Sequence, residues 1–552
     1  MFRKFICILF LAAAAVLNSV LPSAAYDAET IIRVGISDSS FSKYIFDNVS
    51  LYSASKTEVI DIATGRAFSV SGKDVTVVMN ENDLFDVAVD SETVMEDLCG
   101  PLSVSTAPNS LIGIRGLSRA GKPAFYRGAV ELVKSQGKKK GFAVVNVLDL
   151  KNYLKGVVPN EMPVSFGLEA LKAQCVAARN YALKPRDKAY NEFDICDSVA
   201  CQVYFGAKTE KELSNRAVDE TDGLVALYDG DLILAVYSST AGGYTESYSN
   251  AFSTVKTNEF PGNEVPYLVA QPDIPDMKPL NTEEAAREFY TSKPDTYDNN
   301  SSYFRWKREW TLSEFTKMLN ETMLAQSKFI KPLFTEDDLF DTLKEIRILQ
   351  RGNSGKIVFL EIITDKGSYV VGKELVLRRL FKKNGTALPS ANFVTDLIAE
   401  ENSEPIIRFT GGGFGHGVGM SQYGAGKMGQ SGMSFTDILQ HYYTGISVGT
   451  IPVTLESYEG KNSYSESFYA PSSGVSLYID ENKGVSDISL IVNGVDLNTD
   501  INGFFKKKTK IDISKYIHSG INNVEVILPK EYNGSNRLFR YHIEVAGADK
   551  NG

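Results

Sequence analysis

The sequence predicts an α+β protein: a mixed α/β central region flanked by β-rich N-terminal and C-terminal modules. Three observations predict it. Residues 30–120 hold short apolar runs broken by Ser, Asp and Gly, the middle of the chain brings helical periodicity alternating with hairpins, and residues 475–552 return to alternating apolar runs. At 552 residues the chain is too long for one core. With 43% apolar and 23% charged residues it has the composition of a folded protein.

The elements follow in order. Arg3 and Lys4 precede an apolar run from Phe5 to Leu17, and Ser23-Ala24-Ala25 offers small residues for cleavage. The run falls short of the roughly 20 apolar residues of a spanning helix, so residues 1–25 are expected to be a signal peptide. The chain is then expected to be extracytoplasmic, with a membrane anchor only if that segment stays uncleaved. Strands are expected at Ile31–Ile36, Val75–Met79 and Phe85–Val89, then a hairpin of Ala129–Lys134 and Phe142–Val147. Asp149 can cap a short helix bearing Leu150, Tyr153 and Leu154 on one face and closed by Gly156. A longer helix spans 167–183, where Leu168, Leu171, Cys175, Ala178 and Ala182 form a buried stripe while Lys172 and Arg179 look outward from another face. Strands at Leu224–Leu227 and Leu232–Tyr237 hinge on Asp229-Gly230.

Further on, Thr311-Leu-Ser-Glu314 has the spacing of a capping box, and Leu343–Gln350 with Lys356–Ile363 reads as a hairpin. A helix is expected from Ser434 to Tyr443. Residues 456–474, rich in Ser, Tyr, Glu and Gly, read as a linker. The module at 475–552, with Asn493-Gly494 as a hairpin turn, reads as a β-sandwich.

Totals exclude several functions. A net charge of −10 argues against nucleic-acid binding, which wants a basic footprint. Only four histidines occur, at 416, 441, 518 and 542, too few for a multi-histidine metal site.

Five motifs carry chemistry. In Val157-Val-Pro-Asn-Glu-Met-Pro163, two prolines flank an acid, so Glu161 is expected on a stiffened loop. Apolar Val158 and Met162 beside it can raise its pKa, and the plain alternative is a solvated or helix-capping acid. Lys172 and Arg179 suit an anionic or hydroxyl-rich ligand or else form a solvated basic stripe. Tyr237–Glu246 places small hydroxyl residues and two glycines at a strand end, where backbone can approach a ligand or simply turn. In Thr410–Gly426, eight of the sixteen residues from 411 are glycine, with His416, Gln422 and Tyr423 among them, so a close approach to something is expected. This block is neither a phosphate loop nor a dinucleotide fingerprint, and pairing Ser239 with His416 as a serine hydrolase lacks a nucleophile elbow. Finally, Cys196-Asp-Ser-Val-Ala-Cys201 can be half a zinc site, a local disulfide or two thiols.

Together these blocks resemble the stage II sporulation protein D family, which includes amidase enhancers. The resemblance runs through Tyr126-Arg-Gly128, Val157–Pro163, Leu168–Leu183, Asp194–Tyr204, Tyr237–Glu246, Phe304-Arg-Trp306, Phe414–Gly426 and His441–Gly445, covering residues 124–450. It implies a peptidoglycan lytic transglycosylase with Glu161 as its essential acid, acting on glycan strands without a required cofactor. Lys172, Arg179, Ser239, Thr240, His416, Gln422 and Tyr423 would line the glycan cleft. Some relatives hold zinc through cysteines of the Asp194–Tyr204 block plus histidine, but here Ala200 stands where a histidine is usual. The alternative reading is a glycan-binding protein that stimulates a partner cell-wall amidase.

Overall fold

The computed structural model describes residues 30–184, 190–254, 257–401 and 403–450 without interruption, and most of 453–545. The expected signal peptide lies outside the described residues. Among these, no helix is long and apolar enough to cross a membrane. The protein is of the expected α+β class, and its strands form several separate sheets. The chain divides into two compact units. One comprises residues up to Val164, Ala178–Leu232 and the chain from Ser447. The other comprises Ser165–Ala177 and Ile233–Ile446, so the boundary falls inside the long helix Leu168–Leu183.

In the first unit the largest sheet orders Ile195–Cys196, Ile31–Ile36, Phe142–Asp149, Ala129–Lys134, Leu102–Thr106, Lys56–Asp61 and Ala67–Ser71, with Ile45–Phe46 added on Phe142–Asp149. Strands from both sides of residue 120 thus share one sheet. The hairpin expected at 129–147 is present, with Ala129 opposite Val147. A second sheet of six strands includes Asp74–Met79 and Phe85–Val89, where the sequence placed them.

Phe142–Asp149 runs directly into the helix Leu150–Glu161, and Asp149 Oδ1 accepts from Asn152 N at 2.8 Å as its cap. The sequence reading closed this helix at Gly156 and left Glu161 on a loop. The helix instead continues through Pro159, and Glu161 is its last residue. Gly156 is not a C-cap: a Cβ there would lie 2.5 Å from the Tyr204 ring, so glycine permits close packing. Pro159 removes one helical donor only two residues before the end, which the helix tolerates.

Further along the first unit, the chain from Val453 forms two four-stranded sheets over one shared core, and these include strands before residue 475. One sheet holds Val453–Glu456, Phe539–Val545, Val475–Asn482 and Thr509–Asp512. The other holds Lys461–Ala470, Gly520–Tyr532, Ser489–Val492 and Val495–Asp496. Leu477, Ile479, Leu490, Val526 and Tyr541 lie in that core. The stretch expected as a linker therefore contains a ten-residue strand, Lys461–Ala470. Its apolar positions, Tyr464, Phe468 and Ala470, keep strand parity and are buried, while Ser463 and Ser465 face outward.

The second unit is built around Trp310, Phe315, Leu360, Phe381, Phe393 and Phe409. Thr311 caps the helix Leu312–Ala325 with both bonds of the expected capping box. The Ser434 box before Phe435–Tyr442 is likewise complete. Tyr237–Ser238 pairs in parallel with Met420–Ser421, so the two glycine-bearing motifs of this unit lie side by side.

Candidate active site

Glu161 ends its helix with a half-buried side chain. Its Oε1 accepts from the backbone N–H of Val203 at 2.6 Å. Burial raises the carboxyl to about 7, and the Val203 bond opposes that rise without cancelling it. A carboxyl with this pKa both gives and takes a proton near neutrality, which is what a single group serving as acid and then base requires.

The segment that supplies Val203 is fixed from several sides. Tyr204, 1% exposed, gives its hydroxyl proton to Asn146 Oδ1 at 2.6 Å. Phe205 N donates to Gly156 O at 3.3 Å. Tyr153 Oη donates to Gln202 Oε1 at 3.0 Å, and Asn160 Nδ2 donates to Thr209 Oγ1 at 2.8 Å. Upstream, Asp197 is fully buried against Arg119 at 2.6 Å and accepts from Ser37 Oγ at 2.7 Å. Burial raises the Asp197 carboxyl, while Arg119 and Ser37 pull the other way. Tyr204 N donates to Asp197 O at 3.2 Å, so this buried pair anchors the loop that meets Glu161.

Cys196 and Cys201 form a disulfide, one of the three arrangements their spacing allowed. With each sulfur bonded to the other and Ala200 in the usual histidine position, these residues do not fit the zinc site of some relatives.

The cationic pair differs from expectation. Arg179 does not look outward: it is 1% exposed, and its Nη1 donates to Leu224 O at 2.8 Å. The heptad spacing gave the two cations a common face, but Arg179 meets the strand Leu224–Tyr228, which covers it. Lys172 is half-buried, with Nζ 3.1 Å from Glu169 Oε1 and over the Phe435 ring at 5.8 Å.

The second unit gathers Ser239, Thr240, His416, Gln422 and Tyr423. Tyr423 N donates to Ser239 O at 3.0 Å, and Thr240 bridges to Phe414. Thr240 is fully buried, its hydroxyl donating to Asp298 Oδ2 at 2.6 Å. Asp298 also accepts from Gly242 N at 2.8 Å and Ser421 Oγ at 3.2 Å, tying both motifs to one carboxylate. His416 Nδ1 accepts from Val418 N at 3.0 Å, which leaves the proton of the neutral ring on Nε2. Burial, aided by the charge of Lys356, pushes this imidazole down to about 3 and keeps it neutral. Gln422 is 8% exposed and donates to Gln174 Oε1 at 3.1 Å. The Tyr423 ring packs edge-on against Phe166 at 4.9 Å. The close approach that the glycines implied is partly to the protein itself: a Cβ on Gly426 would meet Phe166 at 2.8 Å.

Sequence reasoning missed Asp298, Arg119, Asp197 and the Val203 N–H. The Asp194–Tyr204 block was visible, but it was read only for its cysteines.

A half-buried carboxyl that burial raises to about 7 can exchange a proton near neutrality. Residues 138–228 match the family described as Stage II sporulation protein, and residues 255–419 match a domain of unknown function. Stage II sporulation protein D of Bacillus amyloliquefaciens is 30% identical over 338 residues, covering 57% of this chain and 79% of that protein. The protein of that name from Bacillus subtilis (strain 168) is 28% identical over 333 residues, with the same shares. An amidase enhancer of Bacillus subtilis (strain 168) is 31% identical over 298 residues, 53% of this chain. The match spans 40% of that relative's length. The chain belongs to the stage II sporulation protein D family.

Proposed function

We propose that this protein is a lytic transglycosylase of peptidoglycan, cleaving glycan strands between muramic acid and glucosamine. The observation that carries the reading is Glu161: a half-buried carboxyl raised to about 7, with its Oε1 on the backbone N–H of Val203. Glu161 protonates the glycosidic oxygen as the C1–O bond breaks. The resulting carboxylate takes the proton from the muramic acid's own C6 hydroxyl, which closes on C1 to give a 1,6-anhydro end. Hydrolysing glycosidases need a second carboxylate for water or for a covalent intermediate, whereas an internal nucleophile makes one carboxyl sufficient.

Lys172, Ser239, His416 and Tyr423 are assigned to glycan contact. Arg179, Thr240 and Gln422 are assigned to positioning, because each is buried on an internal partner. Incubating wild-type protein and Glu161→Gln with glycan strands stripped of stem peptides, then analysing products by mass spectrometry, tests the reading. Anhydro-ended fragments should come from the wild type alone, and equal yields from both proteins would refute it.

A second reading, stimulation of a cell-wall amidase, is favoured by the relative named as an amidase enhancer. Under it, neither protein makes anhydro ends, and both accelerate peptide release by a purified amidase.

A further inference from the structure

The turn between Ile31–Ile36 and Ile45–Phe46 carries an aromatic residue in a conformation that does not suit it. Phe41 has φ 57°, the left-handed region that a bulky side chain occupies only at a cost. The turn enforces it. Asp38 Oδ1 accepts from Ser42 N at 2.8 Å and Lys43 N at 3.2 Å, while Asp38 N donates to Lys43 O at 2.9 Å. The result is a large apolar ring at the surface, 37% exposed. Its inner contacts are the Arg119 guanidinium at 4.6 Å and the Phe205 ring at 5.9 Å, tilted by 28°. Arg119 is 2% exposed and Phe205 half-buried, so the solvent-facing part of the ring is the side away from them.

This ring packs on the segment that holds Glu161. Phe205 follows by two residues the Val203 N–H that holds Glu161, and Phe205 N is itself bonded to Gly156 O on the Glu161 helix. Phe41 is thus linked to Glu161 through the Phe205 ring, 5.9 Å from its own, and the two residues of chain from Phe205 back to Val203. A flat apolar face on this segment matches the C–H face of a pyranose ring, and aromatic faces beside a few polar groups hold such ligands.

We propose that Phe41, backed by Phe205, is a stacking subsite for one sugar of the glycan strand on which Glu161 acts. This rests on the reading of Glu161 as the acid acting on glycan.

The test uses the full chain in a Glu161→Gln background, so that strands bind without turnover, with stripped glycan strands as probe. Phe41→Gly and Phe41→Ala should each weaken binding by about fivefold, the scale of one aromatic stacking contact, while Phe41→Trp binds as the parent does. Melting separates this from a packing role. Glycine adopts φ 57° without penalty, so Phe41→Gly should melt no lower than Phe41→Ala while binding as poorly. Unchanged affinity in Phe41→Gly, with the parent binding, overturns the subsite and leaves the role of Glu161 standing. A parent that does not bind the strands overturns both.

Discussion

The backbone N–H of Val203 lies 2.6 Å from Glu161 Oε1, and this bond works against the effect of the carboxyl's own burial. The balance leaves the group near 7, where loss of either influence would move it away from neutrality.

Replacing Glu161 by Gln should abolish anhydro-ended products and stabilise the protein in neutral and basic solution. The folded carboxyl titrates at about 7 against an ordinary 4.5, so the folded state holds a proton that the unfolded chain releases. The contribution of Glu161 to wild-type stability is therefore full below 4.5 and is lost as pH rises through 7, whereas the Gln variant lacks this decline. Above pH 7 the variant should lead by roughly 1–2 kcal/mol in urea unfolding, a value discounted for partial exposure.

Activity should follow the same proton. If protonation of the glycosidic oxygen limits the rate, kcat/KM on stripped strands falls about tenfold per pH unit above 7. A profile flat from pH 6 to 9 would remove Glu161 as the donor.

Gly156→Ala should damage the site from beneath. The added Cβ would stand 2.5 Å from the Tyr204 ring, which is buried and bonded to Asn146 and cannot step aside. Overpacking of this kind costs about 1–3 kcal/mol, measurable as a lower melting temperature. The displaced segment carries Val203, so kcat should fall as well.

Arg119→Met should be among the most disruptive single changes in the first unit. It leaves Asp197 buried beside Ser37 without its cation, at a cost of about 3–5 kcal/mol. Adding Asp197→Leu should recover part of the loss, and a double-mutant cycle by chemical denaturation measures how much.

Cys196→Ser with Cys201→Ser should cost about 2 kcal/mol, since a short cross-link constrains the unfolded chain modestly. Adding zinc should restore nothing. A zinc-dependent rise in melting temperature of the wild-type protein would contradict the disulfide.

What the sequence revealed follows the range over which each signal acts. Asp149 and Thr311 were recognisable caps because their bonds close within three residues. The Asp229-Gly230 turn was equally legible, and both residues take positive φ as a tight hairpin demands. Arg179 was misplaced because its partner, Leu224 O, lies 45 residues along the chain, beyond any helical period. Gly156 was misread for the same reason: what demands glycine is Tyr204, not the helix end. In the Lys461–Ala470 strand, serine and glutamate masked an alternation that only the buried Tyr464 and Phe468 disclose. The motif blocks drew the eye to Glu161 and the glycine segment. The carboxylates that hold them in place went unread: Asp197 lies within the block read only for its cysteines, and Asp298 lies outside every motif.

Ile31–Ile36 lies between Phe142–Asp149, which it meets antiparallel, and Ile195–Cys196, which it meets in parallel. A nascent chain therefore makes its first strand more than a hundred residues before that strand has either neighbour. Contacts so distant in sequence form slowly, because a long loop must close before any of them is rewarded. Refolding of the first unit should be correspondingly slow, and synthesis arrested before residue 142 should yield a first strand open to attack by a protease.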